Sequence, residues 1–178
     1  MYNQMAQVLM GYDSTGGIQR FDADGNLGTA SDKMDEVFFV NFSRLLVKDE
    51  VQKGTFQLEV DVASAFTPSN QPFTSRIVLT DLSGAAGFHV NSPAGEYGIL
   101  YANTSTATAT GQEVIEGEAF NDSATHAPCG LIYYQAGVAV ISGSVFNASS
   151  SSDPTGILKS TLGSSMLSTS IAAGSDAV

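Results

Sequence analysis

The sequence predicts a mainly β fold: an antiparallel sandwich-like or barrel-like domain, with a flexible N-terminal arm and a short C-terminal helix or extended tail. Three stretches predict it. In "TFQLEVDV", residues 55–62, Phe56, Leu58, Val60 and Val62 alternate with Gln57, Glu59 and Asp61. That period of two is the signature of a half-buried strand. In "DEVFFVNFSRLLVKDE", residues 35–50, β-branched and aromatic side chains favour a strand at least through Phe42. In "GLIYYQAGVAVIS", two apolar runs flank Gln135-Ala136-Gly137, a hairpin whose glycine supplies the left-handed turn position.

The elements follow in order. Residues 1–34 form an arm and a turn-rich lead-in. Met5, Val8, Leu9 and Tyr12 give it a weak apolar spacing that fits a short helical turn or an extended arm. The β-domain spans residues 35–143. After its first strand, Lys53-Gly54 reads as a tight turn into "TFQLEVDV". Residues 63–75 hold two prolines among polar residues and form a loop. "RIVLTDLSG" returns to strand and stops at Ser83-Gly84. "GFHVNSPAGEYGILYA" reads as two strands with hairpin punctuation between them. "NTSTATATGQ" is a connecting loop and "EVIEGEAF" one more short strand. Residues 144–178 are a Ser/Gly-rich extension. Asp153-Pro154 is a helix start, with Ile157, Leu158, Thr161, Leu162, Ser165 and Met166 on one face. Such a helix needs a partner surface.

Composition limits the function. Charged residues make up 14% of the 178, against about 25% in ordinary domains. That fits a surface partly covered by neighbours, or an extracellular or virion β-protein. The net charge is −11, and the seven basic residues are scattered at 20, 33, 44, 48, 53, 76 and 159. A nucleic-acid partner is not expected, because no basic patch exists to meet phosphate. An acidic membrane surface would repel the chain. No apolar run approaches the roughly 20 residues of a spanning helix. The N-terminus lacks the basic region and apolar core of a secretory signal. The single cysteine, Cys129, reads as a small buried hydrophobe.

Candidate chemistry is thin. "FDADGN" offers Asp22, Asp24 and Asn26 at the first, third and fifth positions of an EF-type calcium loop. The sixth position is then Leu27 instead of glycine, and the twelfth is Lys33 instead of glutamate. The frame fails twice, so these three are weak metal candidates and an Asx-Gly turn is the default. His89 and His126 are the only histidines, and a metal or catalytic set needs several converging ligands. No serine lies in a Gly-x-Ser-x-Gly elbow, and no phosphate-cradling glycine motif is present. We expect no enzyme activity and no cofactor. Convergence of His89, Asp81 and Glu96 in an open cleft would reopen the enzyme case. The cluster from Arg44 to Glu50, with Lys48 inside it, mixes both signs at a strand end. It fits an inter-subunit charge pair less well than a solvated terminus.

Three pieces stand in order: "VFFVNFSRLLVKDEVQKGTFQLEV", "RIVLTDLSG", and "YGILYA" with "CGLIYYQAGVAVISG". The set resembles a domain recurring in large virion structural proteins of contractile-tailed cyanophages. The matching positions are Asn41, Phe42, Arg44, Lys48, Gly54, Phe56, Leu58, Leu79, Asp81, Gly130, Leu131, Tyr133, Gly137, Val138 and Ile141. They cover residues 35–143. The Tyr-Gly-x-Leu-Tyr knot is doubled here, with Tyr97–Tyr101 as a first copy. The resemblance carries no catalytic residues. It implies a virion protein of the tail, baseplate or neck, or else of the capsid exterior, that assembles with other virion proteins and with copies of itself. Members tend to be longer chains, so whether this one is a segment of a larger polypeptide stays open. Arg44, Lys48, Tyr97, Tyr101, Tyr133 and Tyr134 are the interface candidates. The rival is a receptor- or carbohydrate-binding module, with the four tyrosines lining a sugar site if Tyr97 and Tyr101 lie exposed and coplanar in a groove.

Overall fold

The computed structural model describes residues 1–25, 27, 33–42, 50–61, 76–81, 84, 86–103 and 126–146. The fold is mainly β, with one helix among the described residues: α1 (Tyr2–Leu9). The strands are β1 (Val37–Asn41), β2 (Gln57–Asp61), β3 (Arg76–Thr80), β4 (His89–Ser92), β5 (Gly95–Asn103), β6 (His126–Tyr133) and β7 (Val138–Ser142), followed by a 3₁₀ turn at Gly143–Phe146. They form one antiparallel sheet in the order β1-β7-β6-β5-β3-β2, with β4 paired to β5 beside that path. The sheet curls into a half-barrel, and Phe42 after β1 meets Phe56 before β2 edge to face, 5.4 Å between centroids.

The two Tyr-rich knots are partners. Tyr97 pairs with Tyr133, Gly98 with Ile132, Ile99 with Leu131 and Leu100 with Gly130. The register then shifts, so that Tyr101 pairs with Pro128 and Cys129 is the extra residue of a bulge. Cys129 is buried there, its thiol 3.4 Å from the Leu100 carbonyl oxygen. Burial pushes the thiol pKa up, which keeps it unreactive.

Both faces of the sheet are apolar. Leu79, Leu100, Ile132, Tyr134, Ala139 and Ile141 fill one side, joined by Val40, Phe56, Leu58 and Val60. Tyr97, Ile99, Leu131, Tyr133, Val138 and Val140 fill the other. All five residues of β7 are therefore buried. This explains why its sequence is a continuous apolar run instead of an alternation. At the edge, β2 keeps one wet face and alternates: Phe56, Leu58 and Val60 are half-buried, Gln57 and Glu59 exposed.

Of the two forms expected for residues 1–20, a short helical turn or an extended arm, the chain takes the helical one, and it is packed on the sheet instead of flexible. The helix and lead-in cover the second apolar face. Ala6, Leu9, Met10, Phe21 and Met34 are buried there against the sheet. The Tyr2 hydroxyl donates to the Met34 carbonyl at 2.6 Å and accepts from the Phe21 amide at 3.2 Å. Phe21 and Met34 are themselves bonded backbone to backbone at 3.0 Å. Gly11, at φ +81°, ends the helix in the left-handed conformation usual for that position. The Ser92 hydroxyl then donates to the orphan carbonyl of Leu9, fixing the helix end on the β4–β5 turn. The Tyr133 hydroxyl donates to the Met10 sulfur at 2.7 Å from the sheet side. The weak sequence periodicity of residues 1–20 left helix and extended arm undecided, because a single eight-residue helix borrows its stability from the face it covers.

The predicted hairpins form. Pro93 and Ala94 connect β4 to β5, and Tyr134 to Gly137 connect β6 to β7, with Gly137 at φ +63°. The expected C-terminal helix, the "NTSTATATGQ" loop and the "EVIEGEAF" strand lie outside the described residues.

Gly98 is one of the glycines at which the packing leaves no room for a side chain. A methyl group there would collide with the Tyr134 hydroxyl. Gly98→Ala is expected to lower stability by about 2 kcal/mol, as overpacking of a filled core does. Adding Tyr134→Phe removes the atom in the way, so the double variant should lose less than the sum of the two single losses in urea titrations.

Candidate functional site

The densest set of chemical groups lies where β3 ends. Asp81 follows β3 and is 1% exposed. Its Oδ2 accepts from the Gly54 amide at 2.7 Å and from the Tyr134 hydroxyl at 3.1 Å. Its Oδ1 accepts from the Phe56 amide at 2.9 Å. One carboxylate thus satisfies the turn before β2 and the β6–β7 hairpin together. Burial, and then the Asp81 charge, push the Tyr134 hydroxyl pKa upward, so it stays a donor.

Lys53 closes the outer side. Its ammonium is 2.6 Å from Glu96 Oε2 and 3.5 Å from Glu50 Oε1. It also lies over the rings of Phe88, 5.1 Å away, and Tyr134, 5.4 Å away. The Glu96 hydrogen bond is the largest cause that raises its pKa, so Lys53 is held as a cation. A cation fixed between two carboxylates and two aromatic faces is a clamp; a lysine nucleophile needs the opposite shift.

His89 does not join this cluster. Its ring stacks on Tyr97 at 5.0 Å and 14°, and so belongs to the opposite face of the sheet. Asp81 is buried and Glu96 is held by Lys53. The three residues whose convergence would have pointed to an enzyme do not meet in an open cleft. His126 begins β6.

The calcium-loop candidates have a different partner. Lys33, the residue that breaks the twelfth position of the frame, places its ammonium on Asp22 Oδ2. The same ammonium reaches the Leu27 carbonyl at 3.3 Å. Asp22 Oδ1 accepts the Asp24 amide at 3.2 Å, the expected Asx turn. A lysine cation is therefore the partner of the carboxylate that would open the calcium frame. Asn26 lies outside the described residues. Asp22 is fully buried, and desolvation, then the hydrogen bond with Asp24, push its pKa up to about 6 against the pull of Lys33.

Of the interface candidates, Tyr97, Tyr133 and Tyr134 are each 0% exposed within this single chain. They are core residues, contrary to their expected place at an interface. Tyr101 is half-buried against the Tyr97 side of the core. The condition set for a sugar site is not met, because Tyr97 and Tyr101 form no exposed coplanar pair. Tyr97 donates instead to Asn91 Oδ1 at 2.9 Å. Arg44 and Lys48 lie outside the described residues. Reading the sequence missed the Lys53–Glu96 clamp and the Asp22–Lys33 pair. The only signal for the second was the misplaced lysine of the failed calcium frame; the first joins residues 43 apart and left no local signal.

No family model matches the chain, and comparison with curated proteins and with solved structures finds no match.

Asp81→Ala leaves two amides and a buried hydroxyl without an acceptor and is expected to cost about 3 kcal/mol in chemical denaturation. Asp22 gives a pH signature. Its folded pKa, about 6, lies above its ordinary 3.8, so the folded state binds the extra proton between those values. Its stability contribution therefore falls as pH rises from about 4 to 6. The difference in unfolding free energy between the wild type and Asp22→Asn should move in the wild type's favour at the acid end of that window. A flat difference would place the carboxyl outside it.

Proposed function

We propose that the chain is a virion structural protein, a β-module that works by protein–protein association in the tail, baseplate or neck of a bacteriophage. The observation that carries the reading is how the described titratable side chains with catalytic potential are used. Asp81 holds two amides and a hydroxyl, Lys53 is clamped by Glu96 and Glu50, Lys33 sits on Asp22, and Cys129 is sealed in a bulge. Each contributes to shape, and a shape held this tightly is what an assembly component needs.

Two further features support the phage context. The ordered sequence pieces that resemble cyanophage virion proteins include the turn, the β2 strand and the aspartate of the Asp81 knot. The low charge density fits surface covered by neighbours. The receptor- or sugar-binding alternative is weaker, since three of its four tyrosines are core residues.

Mass spectrometry of purified virus particles from a culture that carries the gene tests this reading. The chain is expected at fixed stoichiometry to other particle proteins through successive density gradients. Its absence from washed particles, or its loss on the first gradient, would overturn the virion role.

A further inference from the structure

We propose that Asp22 and Lys33 close a covalent cross-link, an amide between the Asp22 side-chain carbonyl carbon and Lys33 Nζ, which the folded chain forms by itself with loss of one water. The bond does not depend on the virion role.

The backbone brings the two groups together. Asp22 and Lys33 oppose each other in an antiparallel bridge, next to the bond from the Met34 amide to the Phe21 carbonyl at 3.0 Å. Directly opposed side chains share a face, and here Lys33 Nζ touches Asp22 Oδ2. The sheet closes the site from below. Gly25, at φ +74°, lies so near it that a Cβ there would be 2.9 Å from His89 Nε2 and 3.1 Å from Ile99 Cδ1. Phe21, Asp22, Ala23 and Gly25 are all buried. Lys33 keeps 17% of its side chain exposed, and that is the side from which the released water leaves.

The neighbours supply each step. A fully buried carboxylate is disfavoured, so Asp22 Oδ2 takes a proton from the Nζ it touches, which leaves an amine against a carboxylic acid. The Leu27 carbonyl, 3.3 Å from Nζ, holds one amine hydrogen and fixes the orientation of the nitrogen. As the nitrogen lone pair adds to Cγ, the carbonyl electrons move onto Oδ1. The Asp24 amide already donates to that oxygen at 3.2 Å, as an oxyanion donor does. The Asp24 carboxylate, hydrogen-bonded to the Asp22 carboxyl, takes a proton from the nitrogen and returns it to the Oδ2 hydroxyl. That hydroxyl leaves as water when the carbonyl re-forms. One C–N bond forms and one C–O bond breaks. Ammonium and carboxylate become amide and water, with no oxidant and no activating group. Enforced contact takes the place of activation.

Lys53 is the contrast. Its partners Glu96 and Glu50 are 31% and 42% exposed, so those ions stay hydrated and the pair stays ionic. Closure at Asp22 consumes the carboxyl, and the pH signature of Asp22 is that of the chain before closure. The cross-link fastens the lead-in over the second apolar face.

Mass spectrometry of the full chain, unfolded in acid after storage at neutral pH, tests the bond. The wild type is expected to be lighter than its sequence by one water. Trypsin cuts an open chain after Arg20, Lys33 and Arg44. An acylated Lys33 resists, so residues 21–44 should appear as one peptide, lighter by a water, with no backbone fragments from between residues 22 and 33. Lys53 keeps its free amine and should be cut as usual. Lys33→Arg keeps a cation opposite Asp22 without the amine, and should show its full mass and the circular dichroism of the wild type. Asp24→Asn should lower the linked fraction by about tenfold or more at equal age. A wild type of unreduced mass overturns the cross-link. So does a lost water that fragmentation places at Asp24–Gly25 with Lys33 still cut, the mark of a succinimide. Linkage of Asp24→Asn equal to that of the wild type overturns the role given to Asp24.

Discussion

The curled shape depends on one buried carboxylate. Asp81 receives hydrogen bonds from Gly54, Phe56 and Tyr134, and so ties the entry of β2, the end of β3 and the β6–β7 hairpin at a single point. A carboxylate this deep is tolerable only when its oxygens are supplied with donors. Here the donors come from segments distant in sequence, so the charge is satisfied only in the folded geometry. The glycines around it follow from the same demand. A side chain at Gly98 would strike the Tyr134 hydroxyl, and one at Gly84 would strike both that hydroxyl and Asp81.

A second set of polar ties works on the other face. Tyr2, Ser92 and Tyr133 each place a hydroxyl on the helix or lead-in, and the Asp22–Lys33 pair pins the turn that follows. The apolar contacts supply the bulk of the attraction, since each fully buried large side chain is worth about 1.5–3 kcal/mol. The polar ties are directional, so they fix where α1 sits.

Strands were the legible part of the sequence. Period-two alternation located β2, the apolar runs around Gln135-Ala136-Gly137 located β6 and β7, and the repeated Tyr knots turned out to be strands paired with each other. Their likeness reflects a shared position at the centre of a sheet buried on both sides. The helix was less legible, because its apolar residues are few and gain their meaning from the sheet beneath. The tyrosines misled for a related reason. An amphipathic ring suits an interface and a core alike, and only the fold decides which. At the site, Asp81 was visible as an acid after a strand, but its donors come from residues 54, 56 and 134, beyond the reach of any local pattern.

If chemically able groups are committed to structure, the Asp81 knot should behave as core although it joins turns. Amide hydrogen exchange followed by NMR tests that claim most directly. The Gly54 and Phe56 amides sit in a turn and at a strand entry, positions that ordinarily exchange early. The account predicts that both exchange as slowly as the β5 and β6 amides and only with global unfolding. Exchange of both as early as amides in the exposed turn at residues 13–17 would contradict it, and the curl of the sheet would then rest on other contacts.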